Sequence, residues 1–265
     1  ERFISSDPFR VFILLFVLYM ITMKTIYISD TGPLNWLPVM IIKRHTINLD
    51  LLGGSSYLLY SHKGHLYATL GIGTPLAALP VYLIPTLLFR ELSPETVQML
   101  AKISAAAMTS LAAVFLYTAA RRLTHRRGAL VVTAVFALGT NAFAMASQMM
   151  LTFTGAIMFA SAGLYCLVRG GYSRRYAVLA GTSFAWAGLC QPVMLAVLPL
   201  FGVYALKRGR RYFLLYSAGA LPLVLLMAAV QYVSFGSPFT TGESLATSYL
   251  ISRDWTAVSF AGFWK

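Results

Sequence analysis

Charged residues are scarce in this chain, at 11% of 265 positions, and only eight of them are Asp or Glu. A soluble domain carries about 25% charged residues. This composition offers too little polar surface for water, and a bilayer is its natural solvent. Cysteine is scarce too. Cys166 and Cys190 both fall inside apolar runs, which argues against a disulfide framework and makes them small buried hydrophobes. A Gly-x-Ser-x-Gly nucleophile motif, a phosphate loop and paired zinc ligands are missing, so the enzyme classes built on those motifs have no footing here. No internal repeat or low-complexity linker divides the sequence, which reads as one membrane domain over 1–265. The first apolar run is not closed by a small-residue cleavage site, so it is not a cleavable signal peptide. The chain begins at Glu1 and stops at Lys265 in mid-pattern, as a fragment of a longer protein would.

What the sequence has in abundance is apolar length: 58% hydrophobic residues and a mean hydropathy of +0.71. The net charge of +13 raises the question of nucleic acid. The cations, however, cluster in short gaps between apolar runs, which is the positive-inside pattern of membrane proteins and not a basic stripe on a soluble module. Runs of spanning length cover about 11–28, 71–89, 98–120, 129–147, 150–168, 177–206 and 213–233, against a requirement of about 20 residues per crossing. The 177–206 run is interrupted by Gln191-Pro192 and reads as two crossings joined by a tight turn.

The basic loops set an orientation. Arg121, Arg122, Arg126 and Arg127 follow the third run, Arg169, Arg174 and Arg175 the fifth, and Lys207, Arg208, Arg210 and Arg211 precede the last. All three loops are expected on the cytoplasmic side. If Arg2 and Arg10 join them, 71–89 cannot be one complete crossing and is expected as a re-entrant or interfacial pair of short helices. Gly71, Gly73, Pro75, Pro80 and Pro85 fit that scheme, because proline interrupts helical hydrogen bonds. A rival scheme keeps 71–89 as a full crossing and places the N-terminus outside. The first scheme gives an all-α polytopic bundle of about seven spans: a large external loop at 29–97 with interfacial helices, a bundle at 98–233 and an external segment at 234–265.

Several polar residues can carry chemistry. Asp30 follows the first helix, in Ser29-Asp30-Thr31-Gly32-Pro33. It reads either as an interfacial acid with a raised pKa, fit for proton abstraction, or as a turn aspartate bonding local backbone donors. Lys43, Arg44 and His45 close a short interfacial helix and either grip a phosphate or snorkel to headgroups. His62, Lys63 and His65 lie within four residues around Gly64. They read as an anion-holding loop on the membrane surface or as a β-turn between two short strands. The histidine spacing permits a metal, but no carboxylate nearby in sequence completes a site. Glu243 reads as a cavity-facing acid or an exposed loop residue.

Five segments in order resemble the GT-C superfamily of membrane glycosyltransferases, in the bacterial group that includes protein mannosyltransferases and lipid A aminoarabinose transferases. They are Asp30-Thr31-Gly32-Pro33 through Asp50, then Gly64-His65-Leu66-Tyr67 into Gly71–Pro80. Ala137-Leu138-Gly139-Thr140-Asn141, Gln191-Pro192 and Phe235–Gly242 follow. The resemblance implies a GT-C bundle in a bacterial or archaeal inner membrane, with an extracytoplasmic site that moves a sugar from a polyprenyl-phosphate donor to a glycan, lipid or protein. It implies Asp30 as the catalytic carboxylate, which deprotonates the acceptor hydroxyl or helps position it, Arg44, Lys63 and His65 as donor-phosphate ligands, and Tyr67 and Glu243 as substrate-binding candidates. Membrane lipids are expected partners and nucleic acid is not. No cofactor is called for, and a divalent metal is left open. The chain departs from the pattern at Thr69-Leu70, where relatives often have lysine, and at Gln191, where arginine is common. A flippase of lipid-linked sugars and a non-catalytic assembly subunit are the alternative functions.

Overall fold

The computed structural model describes residues 7–22, 31–53, 58–170 and 173–246. About 80% of the structure is helical. The helices are α1 (Asp7–Ile21), α2 (Gly32–Arg44), α3 (Gly73–Leu88), α4 (Pro94–Leu123), α5 (Arg126–Gly139), α6 (Thr152–Gly170), α7 (Arg174–Cys190), α8 (Val197–Lys207) and α9 (Arg210–Phe235). One antiparallel hairpin, β1 (Leu59–His62) and β2 (His65–Ala68), joins them. By length and composition α4, α6 and α9 can each cross a membrane. The 30 residues of α4 extend about 45 Å at 1.5 Å per residue, longer than a hydrocarbon core of about 30 Å.

Local sequence explains many boundaries. Ser93 caps α4, accepting the Thr96 amide at 3.3 Å, with Pro94 in the first turn, where its missing N–H costs nothing. Gly236 ends α9 at φ 79°, the left-handed conformation that glycine adopts most easily. α7 stops at Cys190, and Pro192 opens a 3-10 stretch, Pro192–Ala196, that leads into α8.

One expectation needs correction. The stretch at 71–89 is not a pair of short helices. It contains one 16-residue helix, α3, with Pro80 and Pro85 inside it. The prolines remove two amide donors but do not stop the helix, because α2, α6 and α7 pack against it; among its neighbours' bonds, the Trp186 indole donates to the Gly73 carbonyl at 3.1 Å. The all-α class holds, and 59–68 forms the β-turn between two short strands that the sequence allowed. The run at 129–147 holds a further irregularity: α5 ends at Gly139, and Ala142–Ala146 is a π-helical turn.

The bundle is built as a row in which α1 packs on α4, α4 on α6, α6 on α7 and α7 on α9. Ala101, Ala105, Ala106, Ala112 and Ala113 line the buried side of α4, so its neighbours approach closely. The same logic is sharper between α7 and α9. A Cβ on Gly181 would stand 1.9 Å from the Tyr216 carbonyl oxygen, and one on Gly219 would stand 2.2 Å from that of Val178. Outer faces carry bare aliphatics such as Leu14, Leu88, Leu221 and Leu225, as lipid-facing surface does.

The two ends of the bundle differ. At one end Asp7 accepts two bonds from Arg126, at 2.7 and 2.8 Å, and a third from the Tyr117 hydroxyl at 3.0 Å. This joins the starts of α1 and α5 to the end of α4. At the other end lie the hairpin, α2 and the end of α9, where the Tyr60 and Phe235 rings meet edge-on at 5.8 Å.

The close approach of α7 and α9 generates a prediction. Gly181→Leu should lower stability in detergent by at least about 3 kcal/mol, because backbone and not a flexible side chain blocks the new group. Denaturant unfolding followed by circular dichroism checks this.

Candidate functional site

The hairpin turn is His62-Lys63-Gly64-His65, with φ of 51° at Lys63 and 83° at Gly64. Positive φ at both central residues is the type I′ geometry that matches strand twist. Lys63 is therefore held at the exposed tip. His65 faces the 3-10 turn Asp50–Leu52. Its Nδ1–H donates to Asp50 Oδ2 at 2.7 Å, and the Leu66 amide donates to Asp50 Oδ1 at 2.7 Å. These bonds, with the positive charge of nearby Arg44, hold the Asp50 carboxyl below the usual carboxylate range. Asp50 is thus the carboxylate that sequence proximity did not supply. Even so, no group of three metal-ligating side chains occurs among the described residues.

The basic end of α2 divides in function. Lys43 donates to the carbonyls of Phe89 and Arg90 at 2.8 and 2.6 Å, so it closes the exit of α3. Arg44 stays exposed beside the Asp50–His65 pair. Arg44 and His65 are therefore brought together, but around a carboxylate, and Lys63 stands apart at the tip.

Below the hairpin lies a cleft between β2, α2, the Gln191-Pro192 break and the C-terminal part of α9. Its walls include Leu37, Ile47, Ile72, Leu189, Met227 and Val230, and Tyr67 sits on its border. Three polar side chains join the lining: Thr69, Gln231 and Ser234. All three are buried. The Thr69 hydroxyl has no hydrogen-bond partner among the described residues. Gln231 and Ser234 lie three apart on α9 and so share a face. Buried polar groups of this kind are normally bonded, so an apolar cleft that presents them is suited to a guest with hydroxyl or amide groups.

The chain after α9 folds back onto this cleft. Gly242 lines it, and a Cβ there would lie 2.0 Å from the Thr69 carbonyl oxygen. That contact sets Glu243 at the cleft border, half-buried, and burial pushes its carboxyl above the ordinary range. Tyr67 and Glu243 thus belong to one neighbourhood. Nearby, the His62 ring lies beside Gly236, where an added Cβ would stand 3.0 Å from it, and its Nε2 is buried and unbonded among the described residues. Asp30 lies outside the described residues; its chain neighbour Thr31 is buried at the entrance to α2.

Sequence reasoning passed over three residues. Gln231 and Ser234 are polar positions on an otherwise apolar helix, and that contrast is the signal that marks them. Lys102 lies inside α4 and is 4% exposed, the sole cation between Arg90 and Arg121. Its Nζ donates to the Ser147 carbonyl at 2.9 Å and to Gln148 Oε1, while Gln148 in turn donates to Thr22 Oγ1 at 3.3 Å. An ionisable residue at such a position is a functional candidate by default. Here its bonds go to the chain break between α5 and α6.

No family model matches the chain, and no curated protein or solved structure matches it.

The Asp50 clasp makes the hairpin end sensitive to acid. Its carboxyl titrates lower when folded than when unfolded. The clasp is complete above the ordinary carboxylate value of about 4 and is lost as pH falls through the lower folded value. The protection of the Leu66 amide, taken relative to its intrinsic exchange rate at each pH, should fall over that window, and Asp50→Asn should lower it already at pH 7 and flatten its pH dependence.

Proposed function

We propose that this protein is a membrane glycosyltransferase of GT-C type, which transfers a sugar from a polyprenyl-phosphate donor to an acceptor on the extracytoplasmic face. The observation that carries the reading is the cleft under the hairpin. It combines apolar walls with the buried polar side chains of Thr69, Gln231 and Ser234, of which the Thr69 hydroxyl has no partner among the described residues, and Glu243 follows Gly242 of its lining. A lipid-linked sugar has the same division, with an apolar tail and a hydroxyl-rich head. The ordered resemblance from Asp30 to Gly242 agrees with it.

In this reading Asp30 takes the proton of the acceptor hydroxyl. The acceptor oxygen forms the new bond to the anomeric carbon, the bond from that carbon to the phosphate oxygen breaks, and polyprenyl phosphate leaves with the electron pair. Orientation and charge stabilisation supply much of the rate for such a leaving group. Lys63 and Arg44 are the cations for the departing phosphate. His65 is committed to Asp50 and serves mainly to hold the hairpin. The free space inside the cleft is about 50 Å³. Against the flippase alternative, Lys102 is spent on a chain break and does not begin a polar path.

The test is a transfer assay in proteoliposomes with a polyprenyl-phosphate sugar. Asp30→Asn should lower kcat by at least about a hundredfold, the usual scale for losing a general base. Gln231→Leu should act mainly on KM if its amide holds the donor. Unchanged transfer in Asp30→Asn removes the enzyme assignment.

A further inference from the structure

A second cavity lies at the opposite end of the molecule from the hairpin. α8 and α9 meet along a groove with about 470 Å³ of free space, far more than the cleft holds. Leu198 and Leu206 lie near its two ends on α8, with Phe213 and Val224 on α9. Gly202 forms part of the floor: a Cβ there would first meet the Phe213 ring, at 3.5 Å. From Phe213 to Val224 the groove follows about 16 Å of helix, close to one leaflet's share, about 15 Å, of the hydrocarbon core. Its lining is almost wholly apolar, with Ser217 and the Tyr216 hydroxyl as polar groups, and that hydroxyl already donates to the Leu198 carbonyl at 3.0 Å.

The groove ends at the α8–α9 turn. Lys207, Arg210 and Arg211 are exposed there, and no hydrogen bond or ion pair to another described residue engages their side chains. Arg208 is engaged differently: its guanidinium donates to the Tyr204 hydroxyl at 2.7 Å and lies over the Tyr204 and Tyr212 rings. α9 also begins at Gly209 without a side-chain cap, so the positive end of its dipole adds to the same field. No ion pair with an acid among the described residues neutralises it. Between Glu95 and Glu243 the sequence has no Asp or Glu and twelve Lys and Arg.

We propose that the α8–α9 groove is a binding site for an anionic phospholipid, with one acyl chain lying along Gly202 and the phosphate headgroup held by Lys207, Arg210 and Arg211. The complementarity is twofold. An apolar slot one leaflet long fits an acyl chain, and an unneutralised cluster of cations at its mouth fits a headgroup of net negative charge. A zwitterionic lipid satisfies only the first condition, and free glycerol phosphate only the second. This site is separate from the cleft and does not depend on the proposed enzymatic activity.

The test is native mass spectrometry of the delipidated full chain in a neutral detergent, titrated separately with phosphatidylglycerol and phosphatidylcholine. Phosphatidylglycerol should be retained about tenfold more tightly, since each cation at a membrane surface favours an anionic lipid. The combined Lys207→Gln, Arg210→Gln and Arg211→Gln variant should bind both lipids at the phosphatidylcholine level. Gly202→Leu, which fills the groove, should weaken both lipids, with an unchanged circular dichroism spectrum and melting transition. Excess glycerol 3-phosphate should displace neither. Equal retention of the two lipids by the wild type overturns the proposal. So does lipid binding unaltered in both variants, displacement by glycerol 3-phosphate alone, or a dimer that Gly202→Leu dissociates, which would make a second copy the occupant.

Discussion

Backbone carbonyls in the last turn of a helix and at chain breaks have no partner in their own helix, and in an apolar solvent no water replaces it. Here several are met by side-chain donors from other helices. Tyr19 on α1 donates to the Ala137 carbonyl in the last turn of α5, Lys102 to Ser147 after the π-helical turn, and Lys43 on α2 to Phe89 and Arg90 beyond α3. Helix starts are pinned as well, through carbonyls that also accept within their own helix: Thr74 on α3 donates to Thr152 of α6, Trp186 on α7 to Gly73 of α3, and Tyr216 on α9 to Leu198 of α8. Each such bond is worth about 1 kcal/mol net, but an abandoned buried partner costs about 1–3 kcal/mol. The breaks are therefore specified by their neighbours as much as by their own residues.

These pinned breaks shape the cleft. Because α7 stops at Cys190, its last carbonyls are bare enough for the chain at Gly71 and Gly73 to lie directly on them, and a Cβ at Gly71 would stand 1.9 Å from the Cys190 oxygen. This contact fixes the chain between β2 and α3, and with it Thr69. The return of the chain after Gly236 closes the opposite side through Gly242. The cleft is thus bounded by two glycine-mediated backbone contacts and by α9, whose buried Gln231 and Ser234 face inward.

Much of the helical pattern was legible because it depends on local chemistry. The Gln191-Pro192 break and the Lys63-Gly64 turn are each written in neighbouring residues. The course of α3 was less legible. Pro80 and Pro85 argue for a break when read alone, and only the packing of α2, α6 and α7 keeps the helix whole. The Asp50–His65 bond joins residues 15 apart, across a turn whose geometry no local pattern announces. Lys102 reads as a stray cation in an alanine-rich run until the break at Ser147 is seen beside it. At the candidate cleft, Tyr67 was legible as a polar aromatic beside the basic turn, while the Gln231 and Ser234 face had to be seen against the hairpin.

The buried bond from Lys102 to the Ser147 carbonyl tests the account most directly, since it joins a charge in the middle of an apolar helix to a break in another. Hydrogen–deuterium exchange on the detergent-solubilised protein should show the amides of 142–154 exchanging at least about tenfold faster in Lys102→Met, as local opening becomes easier, while α9 keeps its wild-type protection. Equal exchange at 142–154 in wild type and variant would contradict the account, because the break would then hold without its donor.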